Sequence, residues 1–189
     1  NTFLSDDVEK IIGIYSSVIN KVLLKNENIA LVLIPHDYRF CGGGPKMCKL
    51  ECYKTCKMDL KLCALLDKKI GNEYSQRKIF VDCHLSAAEI KEICRNLDFC
   101  ITGRFHLGIA CLSQYIPVIA LNYQEKLEGI FRDLDISELL VQPNDFLEAE
   151  KFTAYFYKCF DKRNNFSERL RRNVPVLKAL ADINLKNIN

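Results

Sequence analysis

The sequence has no long apolar run and no strong excess of one charge. No apolar stretch approaches the roughly 20 residues that a membrane-spanning helix needs, and the amino terminus lacks the basic-then-apolar pattern of a signal peptide. The 27 basic and 24 acidic residues give a net charge of +3, which is too small to favour nucleic acid or anionic lipid as a partner. These absences predict a soluble, cytoplasmic protein with no transmembrane segment and no nucleic-acid partner.

Several catalytic motifs are also missing. The chain contains no Walker phosphate loop, no GxSxG nucleophile elbow and no HExxH metal-binding helix. The glycine run at residues 42–44 lacks the spacing of a dinucleotide fingerprint. The 189 residues, of which 49% are hydrophobic, show no internal repeat, low-complexity tract or linker. This length and composition predict one domain, residues 1–189. With these motifs missing, we expect no cofactor.

Short apolar runs alternate with amphipathic segments along the chain. Ser5 can cap a first helix, a second is predicted over about residues 46–69, and Ser86 and Glu89 form a capping box before a third. A helical tail follows at about residues 146–189. Strands are predicted near residues 29–34, 79–81, 99–102, 118–121 and 139–141, with further helices over 107–114 and 126–134. This alternation predicts an α/β fold with an open parallel sheet and helices on both faces.

The chain has ten cysteines, but it is long enough for an ordinary core and needs no covalent cross-links. We therefore expect reduced thiols. At 100° per residue, four of the cysteines fall on one face of the predicted second helix: Cys48, Cys52, Cys56 and Cys63. This shared face favours core packing over metal binding. Zinc held by a pair of these with Cys41 and His84 is the less favoured alternative, since the CxxC spacing is absent.

The most informative stretch lies between residues 99 and 110. An apolar strand runs into Gly103, which Arg104, Phe105 and His106 follow at the start of a small-residue helix. The N–H groups and the dipole of a helix N-terminus attract anions, and Arg104 adds a planar fork suited to a carboxylate or phosphate. His106 can bind the same anion or move a proton. In the structural alternative, Arg104 pairs with a carboxylate and His106 caps the turn.

Polar side chains follow two other predicted strands. His36 and Asp37 come after the first strand, where such a couple can act as a base or orient a hydroxyl; a simple turn is the alternative. Tyr123 and Lys126 follow the fourth strand. Ligands of open parallel sheets bind beyond the carboxyl ends of the strands. We therefore expect these residues to contribute to one site together with Arg104.

Three segments carry a family resemblance: residues 33–37, residues 103–106 and residues 117–134. In this order and spacing they resemble the polysaccharide pyruvyl transferase family, whose Arg-x-His motif opens the helix after a strand. The resemblance covers most of residues 5–145. It implies a Rossmann-like carboxy-terminal half of a B-type glycosyltransferase arrangement. We therefore expect the chain to be a fragment of a two-domain protein whose amino-terminal domain is missing.

The resemblance implies transfer of the enolpyruvyl carbons of phosphoenolpyruvate to two sugar hydroxyls, which forms a ketal on a cell-surface polysaccharide. The acceptor is expected to be a glycan or a lipid-linked sugar. The implied residues are Gly103, Arg104, Phe105, Tyr123 and Lys126 for substrate binding, His106 for protonation of the methylene carbon, and His36 or Asp37 for the acceptor. Two alternatives stay open: a nucleotide-sugar-binding domain of a glycosyltransferase or epimerase, and a non-catalytic interaction module.

Overall fold

A computed structural model describes residues 8–36, 59–122 and 127–186. The described strands are β1 (Leu31–Leu33), β2 (Lys78–Phe80), β3 (Cys100–Thr102), β4 (Val118–Leu121) and β5 (Leu140–Val141). The described α-helices are α1 (Val8–Lys25), α2 (Asp59–Lys69), α3 (Ala87–Arg95), α4 (Phe105–Leu112), α5 (Glu128–Asp133), α6 (Pro143–Phe146), α7 (Ala149–Asp161) and α8 (Arg163–Lys186).

All strand pairs among the described residues are parallel, and helices alternate with the strands. The predicted α/β class, with parallel strands in an open arrangement and helices around them, is thus confirmed. Within the described ranges, however, β1 pairs with β2 while β3, β4 and β5 form a second set of paired strands in that order. The contacts also divide the chain into two compact units. The first runs to His84 and includes Leu147–Thr153, and the second begins at Leu85 and contains the rest.

The first unit packs α1 and α2 around the β1–β2 pair. Its buried core combines residues from both helices, from β1 and from the turn before β2: Val8, Ile12, Leu23, Leu33, Leu66, Ile70 and Tyr74. Cys63 packs against this core, as the helical spacing predicts. The described part of the second helix begins at Asp59, so the predicted part over residues 46–58, with its cysteines, lies outside the described residues.

Arg77 connects the end of α1 to the start of β2. It closes a 3₁₀ turn, Asn72–Arg77, and its guanidinium donates to Leu23 O at 2.9 Å and to Asn26 O at 2.8 Å. The carbonyls of Glu27 and Ile29 accept from the same group at 3.3 Å each. A cation bonded to the last carbonyls of a helix satisfies them and opposes the helix dipole. Arg77 therefore fixes where α1 ends.

The second unit is built on β4, the middle strand of the triplet. All of its side chains are buried, as expected for a strand with a neighbour on each side. Helix α4 packs against β3 and β4, and α3 packs against α4. The capping box before α3 is present, since Ser86 and Glu89 bond reciprocally. Phe99 meets the rings of Phe156 and Phe160 edge-on, at 5.9 and 5.8 Å between centroids.

Candidate functional site

The turn from β3 into α4 brings together Gly103, Arg104, Phe105 and His106. Arg104 is the N-cap of α4, with φ −99° and ψ 119°. Its backbone N–H donates to Oγ1 of Thr102 at 2.9 Å, and its carbonyl accepts from the N–H of Gly108 at 3.0 Å. The N–H groups before Gly108 in the first turn have no carbonyl partner within the helix, as at any helix N-terminus. The predicted arrangement of arginine, histidine and helix start is therefore present.

An arginine is an unfavourable N-cap. Ser, Thr, Asp and Asn are preferred there because their side chains accept from the first-turn N–H groups, and Arg104 makes no such bond. Its positive charge also lies beside the positive end of the helix dipole. The first turn of α4 contains no acidic residue to offset it. Breaks in local rules of this kind are expected at functional sites, and a bound anion would relieve both effects.

His106 stands in the first turn of α4 with an exposed side chain. Its ring meets the ring of Phe105 edge-on, with 5.6 Å between centroids and 84° between planes. Phe105 is half-buried, so it provides an apolar surface that limits the positions of the imidazole. An exposed imidazole beside a cation and a helix N-terminus can hydrogen-bond an anion and exchange a proton with it.

A second polar group at this sheet edge was missed in the sequence. Asn122 directly follows β4 and is only 7% exposed. Its Nδ2 donates to Oε1 of Glu128, the first residue of α5, at 2.7 Å, and its backbone N–H donates to Val141 O at 2.8 Å. The only feature of the sequence that could have pointed to Asn122 is its position immediately after a fully apolar strand. Periodicity ends the strand there but does not identify the side chain that Asn122 meets.

Three buried thiols lie behind α4. Cys94 on α3 and Cys111 on α4 are 0% exposed, and Cys100 on β3 is 8% exposed. The Sγ atoms of Cys94 and Cys111 lie 3.3 Å apart, within hydrogen-bond distance for thiols. This hydrogen bond, followed by burial, raises the pKa of Cys94; a hydrogen bond with Cys100 raises that of Cys111. The described cysteines are free thiols, and these three act as small core residues at neutral pH.

The other predicted site residues belong to the first unit or fall outside the described residues. His36 is half-buried and follows β1 in the first unit. Asp37, Tyr123 and Lys126 fall outside the described residues. Across residues 8–36, 59–122 and 127–186, no group of three or more His, Cys, Asp or Glu side chains is arranged to hold a metal ion. No helix in the same ranges is long and apolar enough to cross a membrane.

Comparison with known protein families places the chain in a family. A family model described as "Polysaccharide pyruvyl transferase" matches residues 11–125, which is more than half of the chain and includes β1 to β4 with all of α4. Comparisons with curated proteins and with solved structures gave no match. The matched range and the α/β fold agree with the resemblance carried by residues 103–106. The chain belongs to the polysaccharide pyruvyl transferase family.

Proposed function

We propose that the start of α4 binds phosphoenolpyruvate and that the chain supports ketal pyruvylation of a cell-surface polysaccharide sugar. The observation that carries this proposal is Arg104 at the N-cap, where neither the capping preference nor the dipole favours a cation. A ligand with a carboxylate and a phosphate brings negative charge to a helix start that carries a cation and has no acidic residue in its first turn. Gly103 and Phe105 flank the arginine and form the rest of the turn.

In the proposed reaction, His106 gives a proton to the methylene carbon of phosphoenolpyruvate. The adjacent carbon becomes electrophilic and takes the first acceptor hydroxyl. A second hydroxyl then displaces phosphate, so that two new C–O bonds form and one C–O bond to phosphate breaks. The two hydroxyl protons end on the new methyl group, by way of His106, and on the released phosphate. Arg104 and the helix N-terminus oppose the charge on the leaving phosphate.

As part of the same proposal, His36 or Asp37 acts on the acceptor hydroxyl. Tyr123 and Lys126 are proposed to help bind the substrate. A glycan or lipid-linked sugar would be the acceptor. The proposal also includes three expectations from the sequence. Residues 1–189 form one Rossmann-like domain, a further amino-terminal domain completes the acceptor site, and the protein is cytoplasmic. The family match supports the transferase class. The class implies an acceptor that offers sugar hydroxyls and does not specify which sugar it is.

Calorimetric titration with phosphoenolpyruvate tests the proposal. We expect wild-type protein to bind it and Arg104→Ala to lose binding. Arg132→Ala is the matched control, because Arg132 is an exposed arginine of the same unit whose Nε lies 3.7 Å from the Asp133 carboxylate. A uridine-diphosphate sugar serves as the comparator ligand. Preference for it would replace the proposal by nucleotide-sugar binding, and equal binding by Arg104→Ala would place the anion elsewhere.

A further inference from the structure

The strand register relates Asn122 to Arg104. In the β3–β4 ladder Cys100 pairs with Val118 and Thr102 with Ala120. Arg104 and Asn122 each lie two residues beyond the Thr102–Ala120 pair, so both leave the sheet at the same edge. Neighbouring strands are about 4.8 Å apart. The amide of Asn122 is therefore placed on the strand next to the one that delivers the arginine.

The surroundings of Asn122 hold it in one orientation. Its backbone is fixed to β5 through Val141, and its amide nitrogen is fixed by the Glu128 carboxylate. A carboxylate only accepts hydrogen bonds, so it determines which end of the amide is nitrogen and which is oxygen. A bond to Glu128 uses one of the two N–H groups of Nδ2. The charge of Glu128 itself lies on an exposed residue, where water screens it from a nearby anion.

We propose that Asn122 is a further ligand-contacting residue of the Arg104 site and that Glu128 is a positioning residue that acts through it. The inference rests on the proposed function for the identity of the anion. A neutral amide donor beside a cation contacts a carboxylate or phosphate oxygen without adding charge, and it therefore selects by geometry. In a purely structural role, the pair would only brace the start of α5.

A double-mutant cycle separates these roles. Calorimetry with phosphoenolpyruvate should show binding about tenfold weaker in Asn122→Ala, as expected for one lost bond to a charged ligand, and weaker binding in Glu128→Ala. Because Glu128 acts through Asn122, the double variant should bind no more weakly than Asn122→Ala. Glu128→Gln should restore affinity, since its amide carbonyl still accepts from Nδ2. Glu92→Ala, an exposed glutamate of α3, is the matched control.

Additive losses in the double variant, or a Glu128→Gln variant as weak as Glu128→Ala, would overturn the inference while leaving the proposed function intact. Inorganic phosphate is titrated in parallel. If wild-type protein binds phosphate and not phosphoenolpyruvate, the proposed function fails and the cycle is evaluated with phosphate. If neither binds, both fail. If Asn122→Ala does not fold, the comparison of Glu128→Ala with Glu128→Gln still tests the inference. Glu128 is exposed, so the thermal unfolding of both variants can be compared with that of wild type.

Discussion

Replacing Arg104 by serine should stabilise the protein and abolish anion binding. Serine is among the best N-cap residues, and a cap of this kind contributes about 1 kcal/mol. Removal of a positive charge from the helix N-terminus contributes about 0.3–1 kcal/mol more. The bond from the Arg104 N–H to Thr102 involves the backbone and is retained. The cap and the dipole together should therefore raise the unfolding free energy by about 1–2 kcal/mol, and the contacts that the guanidinium itself makes reduce this gain.

Urea unfolding followed by circular dichroism measures this gain, which corresponds to roughly 2–8 °C in Tm for a chain of this size. Arg104→Ala separates the two contributions, since it removes the cation without adding a cap. Ser86→Ala calibrates the assay, because Ser86 caps α3 and accepts from the N–H of Glu89; its loss should cost about 1 kcal/mol. Phosphoenolpyruvate titration of the same samples reports function.

A less stable Arg104→Ser variant would refute the reasoning. It would mean that the guanidinium contributes more to the native structure than the cap and the dipole together, as in the structural alternative in which Arg104 pairs with a carboxylate. A variant that is more stable but still binds phosphoenolpyruvate would refute the functional part alone. Only a gain in stability combined with a loss of binding matches an arginine retained for its ligand.

Further predictions concern the cores of the two units. Burial, and secondarily the charge of Asp59, raises the pKa of Cys63 from 9.0 to about 12, so the folded chain keeps a proton that the unfolded chain loses above pH 9. Unfolding free energy should fall there by up to about 1.4 kcal/mol per pH unit for this group, and an unchanged slope in Cys63→Ala would contradict this. Arg77→Lys, measured by urea unfolding, should lose about 1.5–3 kcal/mol because an ammonium cannot bridge the same carbonyls; a loss below 0.5 kcal/mol would show that the guanidinium bonds contribute little. Cys94 and Cys111 should resist iodoacetamide in native protein while exposed Cys83 reacts, with mass spectrometry locating the label; equal labelling would show that the region opens.

Local signals in the sequence were sufficient where structure depends on neighbouring residues. Ser86 and Glu89 predict the start of α3 because a capping box is complete within one turn. Gly103 to His106 predict the turn from β3 into α4 because the strand end and the helix start are adjacent in the chain. Sheet membership was not predictable in this way. The partner of β1 is set by long-range contacts that leave no periodicity of their own, so a single sheet was expected, whereas the described strands pair in two sets.

The candidate site could be described from the sequence only in part for the same reason. Arg104 and His106 are identified by charge and position in the sequence, whereas the hydrogen bond from Asn122 to Glu128 joins two elements across a segment whose path the sequence does not give. Asparagine after an apolar strand equally suits a turn, and the amide becomes informative only when its burial and its carboxylate partner are known.

The sequential order of β3, β4 and β5 has a consequence for folding. Each neighbouring pair is joined by one short crossover through α4 or α5, so the loops that must close to form this sheet are short and their entropic cost is small. Contacts of low sequence separation form early and quickly. We therefore expect the turn that carries Arg104 to form as soon as β3 and β4 pair, ahead of the docking of α8. Pulse-labelling hydrogen exchange would then find the Cys100 N–H, bonded to Pro117 O at 2.9 Å, among the first amides protected.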